Sequence, residues 1–596
     1  MFDPEDVSSD EHCAPDVRRQ GERMLNDLRT AALAEVDGSK FLWFHRKVTL
    51  VAGVGFFTDA YDIFAINIAA IMLGYVYGHT PDQFCRPRLS PNQDLGLKIA
   101  TPIGTFFGQL LFGWLADSVG RKRMYGVELI MMIVGTFGQA TAAKGQAMKI
   151  VPLLIFWRVV VGLGVGGDYP LSATIASEFA PIQYRGRMMT AVFAAQGWGN
   201  LAAAIVATVI TMAYRDQIYQ DFPACTCTSS VLLCPSDATG INHVDYMWRL
   251  LLGLGCVPAA IALYFRLTIP ETTRWRMDIE RNIVRATTDI QGALAARNRR
   301  DQYQATQRAD APRATWHDFI QFFGQRSNSI VLFCVAYSWF AIDVAFYTLG
   351  LNSSIILEAI NFGGSTDVYQ NLYHICTGNI ILSLAGLIPG YWVCFLFIDH
   401  WGRRPIQIMG FAVLTCLFII MGASFQSLVP LKQIPLDSAP DPNNYVPVKT
   451  RVFVFLYCLA NFFQNFGPNT VTFLVPGEIF PTRYRATGHG IAAASGKLGA
   501  IVAQVIFSQL TQLMPVDKSN EDGRDGASRQ KALALSFGIL SVFMATGILS
   551  SYFIPETRGQ SLETLSKEEQ GNFMHPPPTR VHMQNGLIIP MQNLTD

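Results

Sequence analysis

Charged residues occur in this chain where a lipid bilayer should exclude them. The run from Val151 to Ala176, VPLLIFWRVVVGLGVGGDYPLSATIA, is apolar enough to cross a membrane, yet it holds Arg158 and Asp168. An ionised group at the centre of a membrane helix costs about 2.5–3.5 kcal/mol on insertion scales. Such groups face a bundle interior and mark substrate or proton paths. The anomaly recurs in FFTDAYD (56–62), where Asp59 and Asp62 stand at i and i+3 on one helix face. Two neighbouring acids in low dielectric suit a group that must load and release a proton. Arg158 and Asp168 are separated by about 15 Å along a helix axis, so each needs a partner on another helix. Asp59 or Asp62 is the expected partner of Arg158.

Other spans carry the makings of an anion site. Trp339, Asp343 and Tyr347 fall at i, i+4 and i+8, one stripe of a helix. Without the Asp this would be aromatic packing; with it, the stripe should wall a polar cavity. Lys497, between Ala493 and Ala500, is a lone midplane cation suited to an anionic substrate. Gln196, Asn200, Asn461, Gln464, Asn465 and Asn469 add amides that serve as interhelical glue or as donors. Gly162-x-Gly164-x-x-Gly167 fits a dinucleotide fingerprint only formally, since no strand precedes it. Glycines in a membrane helix read instead as sites of close helix approach or local unwinding. Gly496-Lys497 likewise fails the spacing of a phosphate-binding loop.

A membrane bundle must position these groups. Of 596 residues, 50% are hydrophobic, 40 are Phe and only 15% are charged, well below the roughly 25% usual for a soluble protein. Twelve apolar runs are expected to span the bilayer, near 48–76, 94–116, 124–144, 151–176, 188–213, 247–267, 328–350, 373–398, 405–427, 451–475, 489–513 and 531–554. They divide the chain into an N-terminal segment (1–47), a six-helix half (48–267), a central loop (268–327), a second six-helix half (328–554) and a tail (555–596). The central loop and the short loops of its parity are rich in Arg and Lys, which places them and both termini in the cytosol. No signal peptide is evident, so the first span should act as the insertion signal. A net charge of +1 gives no reason for a nucleic-acid partner, and the partner surface is the lipid. No nucleotide, metal or nucleophile constellation appears, so neither a cofactor nor an enzyme activity is expected. Cys85, Cys225, Cys227 and Cys234 lie in polar loops where one or two disulfides could form, in a pairing the sequence leaves open.

The halves repeat one another. Glu178, Pro181, Tyr184 and Arg185 recur as Glu478, Pro481, Tyr484 and Arg485; Asp117-x-x-Gly120-Arg121 recurs as Asp399-x-x-Gly402-Arg403; Pro270-Glu271-Thr272 recurs as Pro555-Glu556-Thr557. Parallel six-helix repeats are a transporter architecture. GWLADSVGRK (113–122) resembles the loop signature of the major facilitator superfamily. The fold implied is all-α, with twelve transmembrane helices in two pseudo-symmetric halves. Asp117, Arg121, Glu178, Arg185, Asp399, Arg403, Glu478 and Arg485 are then the expected cytosolic gate, since positive-inside retention alone needs neither the Asp nor the Gly.

Within that superfamily GGDYPLSAT (166–174) followed by Ser177-Glu178, together with FFTDAYD (56–62), FGPN (466–469) and GKLGA (496–500), is similar to the phosphate:proton symporters of fungi and plants. The similarity covers roughly residues 40–565. It implies alternating-access import of dihydrogen phosphate at the plasma membrane, with Tyr169, Gln196, Trp339, Asp343, Tyr347 and Asn469 around the substrate. It ties Asp59, Asp62, Asp168, Arg158 and Lys497 to proton coupling or anion attraction. A carboxylate in such a site accepts from the hydroxyls of dihydrogen phosphate and repels fully ionised sulfate. An organic phosphate ester, such as a glycerophosphodiester, is the alternative substrate, and a phosphate-sensing receptor the alternative class. A sugar porter is disfavoured because a neutral hexose gives no reason for Lys497. The tail, with Ser561, Thr564, Ser566 and Lys567, offers sites for kinases and the ubiquitin machinery. Asn352-Ser353-Ser354 is a glycosylation sequon expected to lie too near span 7 for use.

Overall fold

In the computed structural model the described residues are 33 and 35–566 except 79, 82–86, 144, 146–147, 223–225, 229–230, 234–241, 269–270, 273, 275–315, 361, 363–366, 430–447 and 514–523, plus two short strands in the tail. Cys85, Cys225 and Cys234, the side chain of Cys227, the basic residues from Arg276 to Arg300, and Lys567 lie outside the described residues.

The first half comprises α1 (Trp43–Tyr77), α2 (Pro91–Val119), α3 (Arg121–Thr141), α4 (Ile150–Phe179), α5 (Arg185–Ala213) and α6 (Val244–Leu267). The second comprises α7 (Arg326–Leu351), α8 (Val368–Trp401), α9 (Arg403–Leu428), α10 (Val448–Asn465, resuming as Pro468–Ile479), α11 (Arg485–Leu513) and α12 (Arg524–Tyr552). Ten of these twelve are long and apolar enough to cross a membrane. The other two differ for local reasons. α3 opens with Arg121, Lys122 and Arg123, and α10 breaks at Gly467, leaving an 18-residue and a 12-residue piece.

Helix ends are set by recognisable chemistry. Ser90 caps α2, with its hydroxyl accepting from Gln93 N and the Gln93 side chain returning to Ser90 N. Gly120 between α2 and α3 has φ 118°, and its repeat Gly402 between α8 and α9 has φ 97°. A side chain is disfavoured at both, so the repeated Asp-x-x-Gly-Arg turns rest on backbone geometry as well as on charge.

The glycines of α4 pack it closely against two neighbours. A Cβ on Gly162 would fall 2.3 Å from Thr101 O of α2, and one on Gly164 would fall 2.6 Å from Glu128 O of α3. This is the close approach expected of them, inside a continuous helix. Outward, Phe107, Trp114, Phe137, Phe333 and Leu549 are exposed, as a lipid-facing surface requires.

One face of the bundle, the terminal face, gathers Asp37, the α2–α3 and α8–α9 turns, the ends of α4 and α10, and residues 556–566. On the opposite face Asn67 of α1 donates to Ser353 and accepts from Ser354, and Asn371 of α8 donates to Tyr75. Polar bonds therefore join the two halves on both faces.

Candidate functional site

The structure brings all seven sequence-derived substrate residues into one buried cluster at the interface of the halves. Lys497 Nζ of α11 is 2.7 Å from Asp343 Oδ2 of α7, with both side chains 2% exposed. The ammonium also sits 4.9 Å from the Tyr169 ring centroid and 4.6 Å from that of Tyr347, so two aromatic faces add cation–π attraction. Gln196 of α5 donates to the Tyr169 hydroxyl at 2.7 Å, and Asn469 of α10 donates to Tyr391 at 3.1 Å. Tyr391 of α8 donates to Gln196 at 3.2 Å, joining the amides across the halves. Trp339 closes the cluster against Tyr169, with ring centroids 6.3 Å apart.

Asn469 owes its position to the α10 break. It follows Pro468 directly, at the start of the resumed helix, and its amide also donates to Asn465 Oδ1 at 2.8 Å. Asp343 gives Lys497 an ion-pair partner; an unpaired cation at this depth would be costly. Two members escaped sequence reasoning. Tyr391 lay unmarked within an apolar run. His489, whose ring stands edge-on to Trp339 at 5.3 Å, is the first residue of its predicted span and was given no role.

A second cluster lies in the first half. Arg266 of α6 donates to Asp168 Oδ2 at 2.6 Å and to Glu128 of α3, and Ser172 donates to the other Asp168 oxygen. Asp59 is buried, with neither carboxylate oxygen hydrogen-bonded among the described residues, within electrostatic reach of Asp168, Glu128 and Arg266. Three acids thus face one guanidinium. Glu128 and Arg266 were not foreseen. Glu128 sits four residues into its predicted span, and Arg266 ends an apolar run where basic residues usually signal the membrane surface.

Arg158 does not make the expected direct pair, although Asp62 lies within its electrostatic reach. Among the described residues it forms no ion pair; Nε donates to Leu97 O at 2.8 Å and Nη1 to Gln139 at 3.4 Å. Asp62 instead accepts from Thr136 of α3 at 3.0 Å. Carbonyl and hydroxyl dipoles from neighbouring helices satisfy each group, which sequence spacing cannot reveal.

All eight expected gate residues meet on the terminal face. Asp117 accepts from the backbone N of Ala486 and Thr487 and from the Thr487 hydroxyl, across the halves. Arg121 pairs with Asp117 and Glu178 and donates to Thr482 O. Arg485 reaches Glu178 at 3.0 Å, an ion pair between halves. Most of the layer is repeated in the second half: Glu478 pairs with Arg403 at 2.9 Å as Glu178 does with Arg121, and Asp399 accepts from Arg187 N across the interface as Asp117 does from Thr487 N. The symmetry breaks at the counterpart of Arg485. Arg185 turns to Asp37 at 3.3 Å and to Gln560 O at 3.0 Å.

The chain ends take part in this layer. Arg274 pairs with Asp37 at 2.9 Å and with Glu563 of the short helix Leu562–Ser566 at 2.8 Å. Burial alone would raise the Glu563 carboxyl, but the Arg274 guanidinium outweighs it and holds the group at about 2. Ser561 is half-buried and bonded to the exposed Thr564, whereas Ser566 is buried.

Comparison with known proteins places the chain. A family model described as sugar (and other) transporter matches residues 48–568. The chain is 40% identical over 554 residues to a repressible high-affinity phosphate permease of Neurospora crassa, covering 91% of this chain and 90% of that one. It is 41% identical over 553 residues to an inorganic phosphate transporter of Saccharomyces cerevisiae, covering 90% and 87%. An inorganic phosphate transporter of Oryza sativa matches at 36% over 539 residues, covering 90% and 96%. Among solved structures, the proton:xylose symporter XylE superposes with a TM-score of 0.60 at 19% identity, covering 88% of this chain and 99% of that one. The fold is that of the major facilitator superfamily.

Proposed function

This chain belongs to the sugar (and other) transporter family of the major facilitator superfamily, alongside fungal and plant inorganic phosphate transporters, and we propose that it imports dihydrogen phosphate together with protons. The observation that carries the reading is the buried Lys497–Asp343 pair, ringed by Tyr169, Tyr347, Gln196 and Asn469 at the interface of the halves. Lys497 attracts the monoanion. Asp343 accepts from a phosphate hydroxyl, which a fully ionised oxyanion does not have. The substrate thus replaces the bond Asp343 makes to Lys497 with one of its own.

Protons travel through the first-half cluster. Asp59, Glu128 and Asp168 share one Arg266, so charge balances in this buried place only when protons are aboard. Bringing one monoanion in against 100 mV, inside negative, costs about 2.3 kcal/mol. One proton makes the cycle electroneutral, and a second lets the potential drive it. With several acids as carriers, more than one proton accompanies each phosphate.

The terminal face is cytosolic by the positive-inside rule, since it holds Arg121, Lys122, Arg185, Arg187, Arg274, Arg403 and Arg404. The membrane is the plasma membrane, where such an importer meets its substrate. With both faces bridged, the conformation matches an occluded intermediate of alternating access. The test is labelled-phosphate uptake into liposomes carrying the purified protein, with a pH gradient and a potential imposed separately. Accumulation driven by outside acid, enhanced by inside-negative potential and abolished by a protonophore, is the expected result. Saturable binding without accumulation would turn the reading to a receptor.

A further inference from the structure

The outer face carries a polar chain that the proposed cycle does not use. Lys98 of α2, its side chain 4% exposed, lies 2.7 Å from Asp94 Oδ2. It also donates at 3.1 Å to Oδ1 of Asn352, the residue that ends α7. The Asn352 amide donates onward to Gln504 Oε1 of α11 at 3.1 Å and to Thr348 O at 3.0 Å. Gln504 Nε2 then donates to Tyr347 O at 2.8 Å. Lys98, Asn352 and Gln504 are all buried, so a bond broken here is not replaced by water without rearrangement. The donors run in one direction, from the outer rim to Tyr347, and each bond polarises the next.

This chain is a second rung between two helices that already share the substrate site. The lower rung is Asp343–Lys497; the upper is Asn352–Gln504. Lys497 and Gln504 stand at i and i+7 on the continuous helix α11, two turns apart on one face. An anion that engages Lys497 competes with Asp343 for its ammonium and alters the lower spacing. Rigid helices pass that change to the upper rung, which is the one Lys98 ties to the other half. The residues after Asn352 reinforce the tie, since Ser353 and Ser354 both bond to Asn67.

We propose that Lys98, Asn352 and Gln504 form an outer latch through which occupancy of the Lys497–Asp343 site sets closure of the outer face. Asn352 and Gln504 are positioning residues, and Lys98 is the tie between halves. The latch rests on the phosphate reading only for the identity of the ligand. It also explains the sequon: Asn352 is 1% exposed with its amide engaged, so it takes no glycan in this closed state.

The reporter is Thr348→Cys, one turn below Asn352, at a hydroxyl bonded within its own helix to Val344 O. A membrane-impermeant maleimide added outside cells expressing the full chain reads its exposure, with labelling of the parent protein subtracted. Inorganic phosphate should slow labelling by at least about fivefold, a coupling of ordinary size for linked sites. In Gln504→Leu, phosphate binding to purified protein should stay within about threefold while the protection disappears. Asn352→Ala and Lys98→Met should raise labelling without phosphate, and Lys98→Arg should restore it. Protection that persists in Gln504→Leu, or phosphate-free labelling unchanged by Asn352→Ala, overturns the latch. Failure of the parent protein to bind phosphate instead overturns the functional reading, and the phosphate-free arm then decides the latch.

Discussion

Arg266 Nη2 of α6 lies 2.6 Å from Asp168 Oδ2 of α4, and the same guanidinium reaches Glu128 and sits 4.0 Å over the Tyr125 ring. One cation thus serves two acids, with Asp59 beside them. Asp168→Asn should abolish concentrative phosphate uptake in the liposome assay, because the cluster loses a carrier and its tie to Arg266. Normal accumulation by that variant would sink the coupling scheme. Arg266→Met should in addition cost about 3–5 kcal/mol of stability, the usual loss when one partner of a buried pair is removed. Thermal denaturation in detergent measures it.

Lys497→Met should weaken phosphate binding by at least about a hundredfold, which corresponds to about 2.7 kcal/mol. The variant keeps the length of the side chain and removes the charge that Asp343 and both tyrosines hold in place. Isothermal titration with inorganic phosphate reads the loss. A change under about threefold would mean that the anion binds elsewhere.

Selectivity should follow the acceptor at Asp343. Arsenate should compete with labelled phosphate, while sulfate and glycerophosphodiesters should not. Asp343→Asn should narrow the gap between phosphate and sulfate, since an amide does not repel a dianion. Sulfate competing as well as arsenate against the unmodified protein would refute this account of the site.

The tail clamp should be indifferent to physiological acidification. Glu563 is held at about 2, below its ordinary 4.5. A lowered carboxyl contributes in full above its unfolded value and fades only as pH falls through the folded one. Proteolysis within 555–566 should therefore proceed at one rate from about pH 7.5 to about pH 5.5. Glu563→Gln should accelerate it at every pH in that range. A clamp that loosens between those limits would place the controlling charge on another group.

Gly162→Val should destabilise the first half, because its side chain would meet Thr101 O in the α2–α4 contact. Overpacking of this kind costs about 1–3 kcal/mol or more. A lowered melting temperature with unchanged phosphate affinity in the surviving protein is the expected outcome.

Much of this site was legible in the sequence because the bilayer makes charge informative. Asp59, Asp168, Asp343 and Lys497 stood out as ionisable groups in apolar runs, and their burial follows from the same solvent argument. The repeated Asp-x-x-Gly-Arg turn pointed to both halves and to the charged residues that form one layer on the terminal face. Partners were less legible. Arg158 satisfies itself on Leu97 O and Gln139, and no spacing rule distinguishes a carbonyl from a carboxylate on another helix. Arg266 was hidden by its place at the end of a span, where a basic residue ordinarily needs no explanation. Tyr391 carries no charge to betray it. The broken repeat symmetry at Arg185, which turns to Asp37 where Arg485 pairs with Glu178, was likewise invisible, because both positions keep the same residue type.

The interruption of α10 at Gly467 turns its second piece into a lever. Pro468–Ile479 is one helix of 12 residues, continuous through Pro476, with Asn469 at one end and Glu478 at the other. Such a helix is about 18 Å long, so a tilt of about 10° at the break would swing its far end by about 3 Å. That is enough to part Glu478 from Arg403 while Asn469 barely moves. A small reorientation around Asn469 would therefore be amplified into an unlocking movement at the terminal face, with the glycine as the fulcrum.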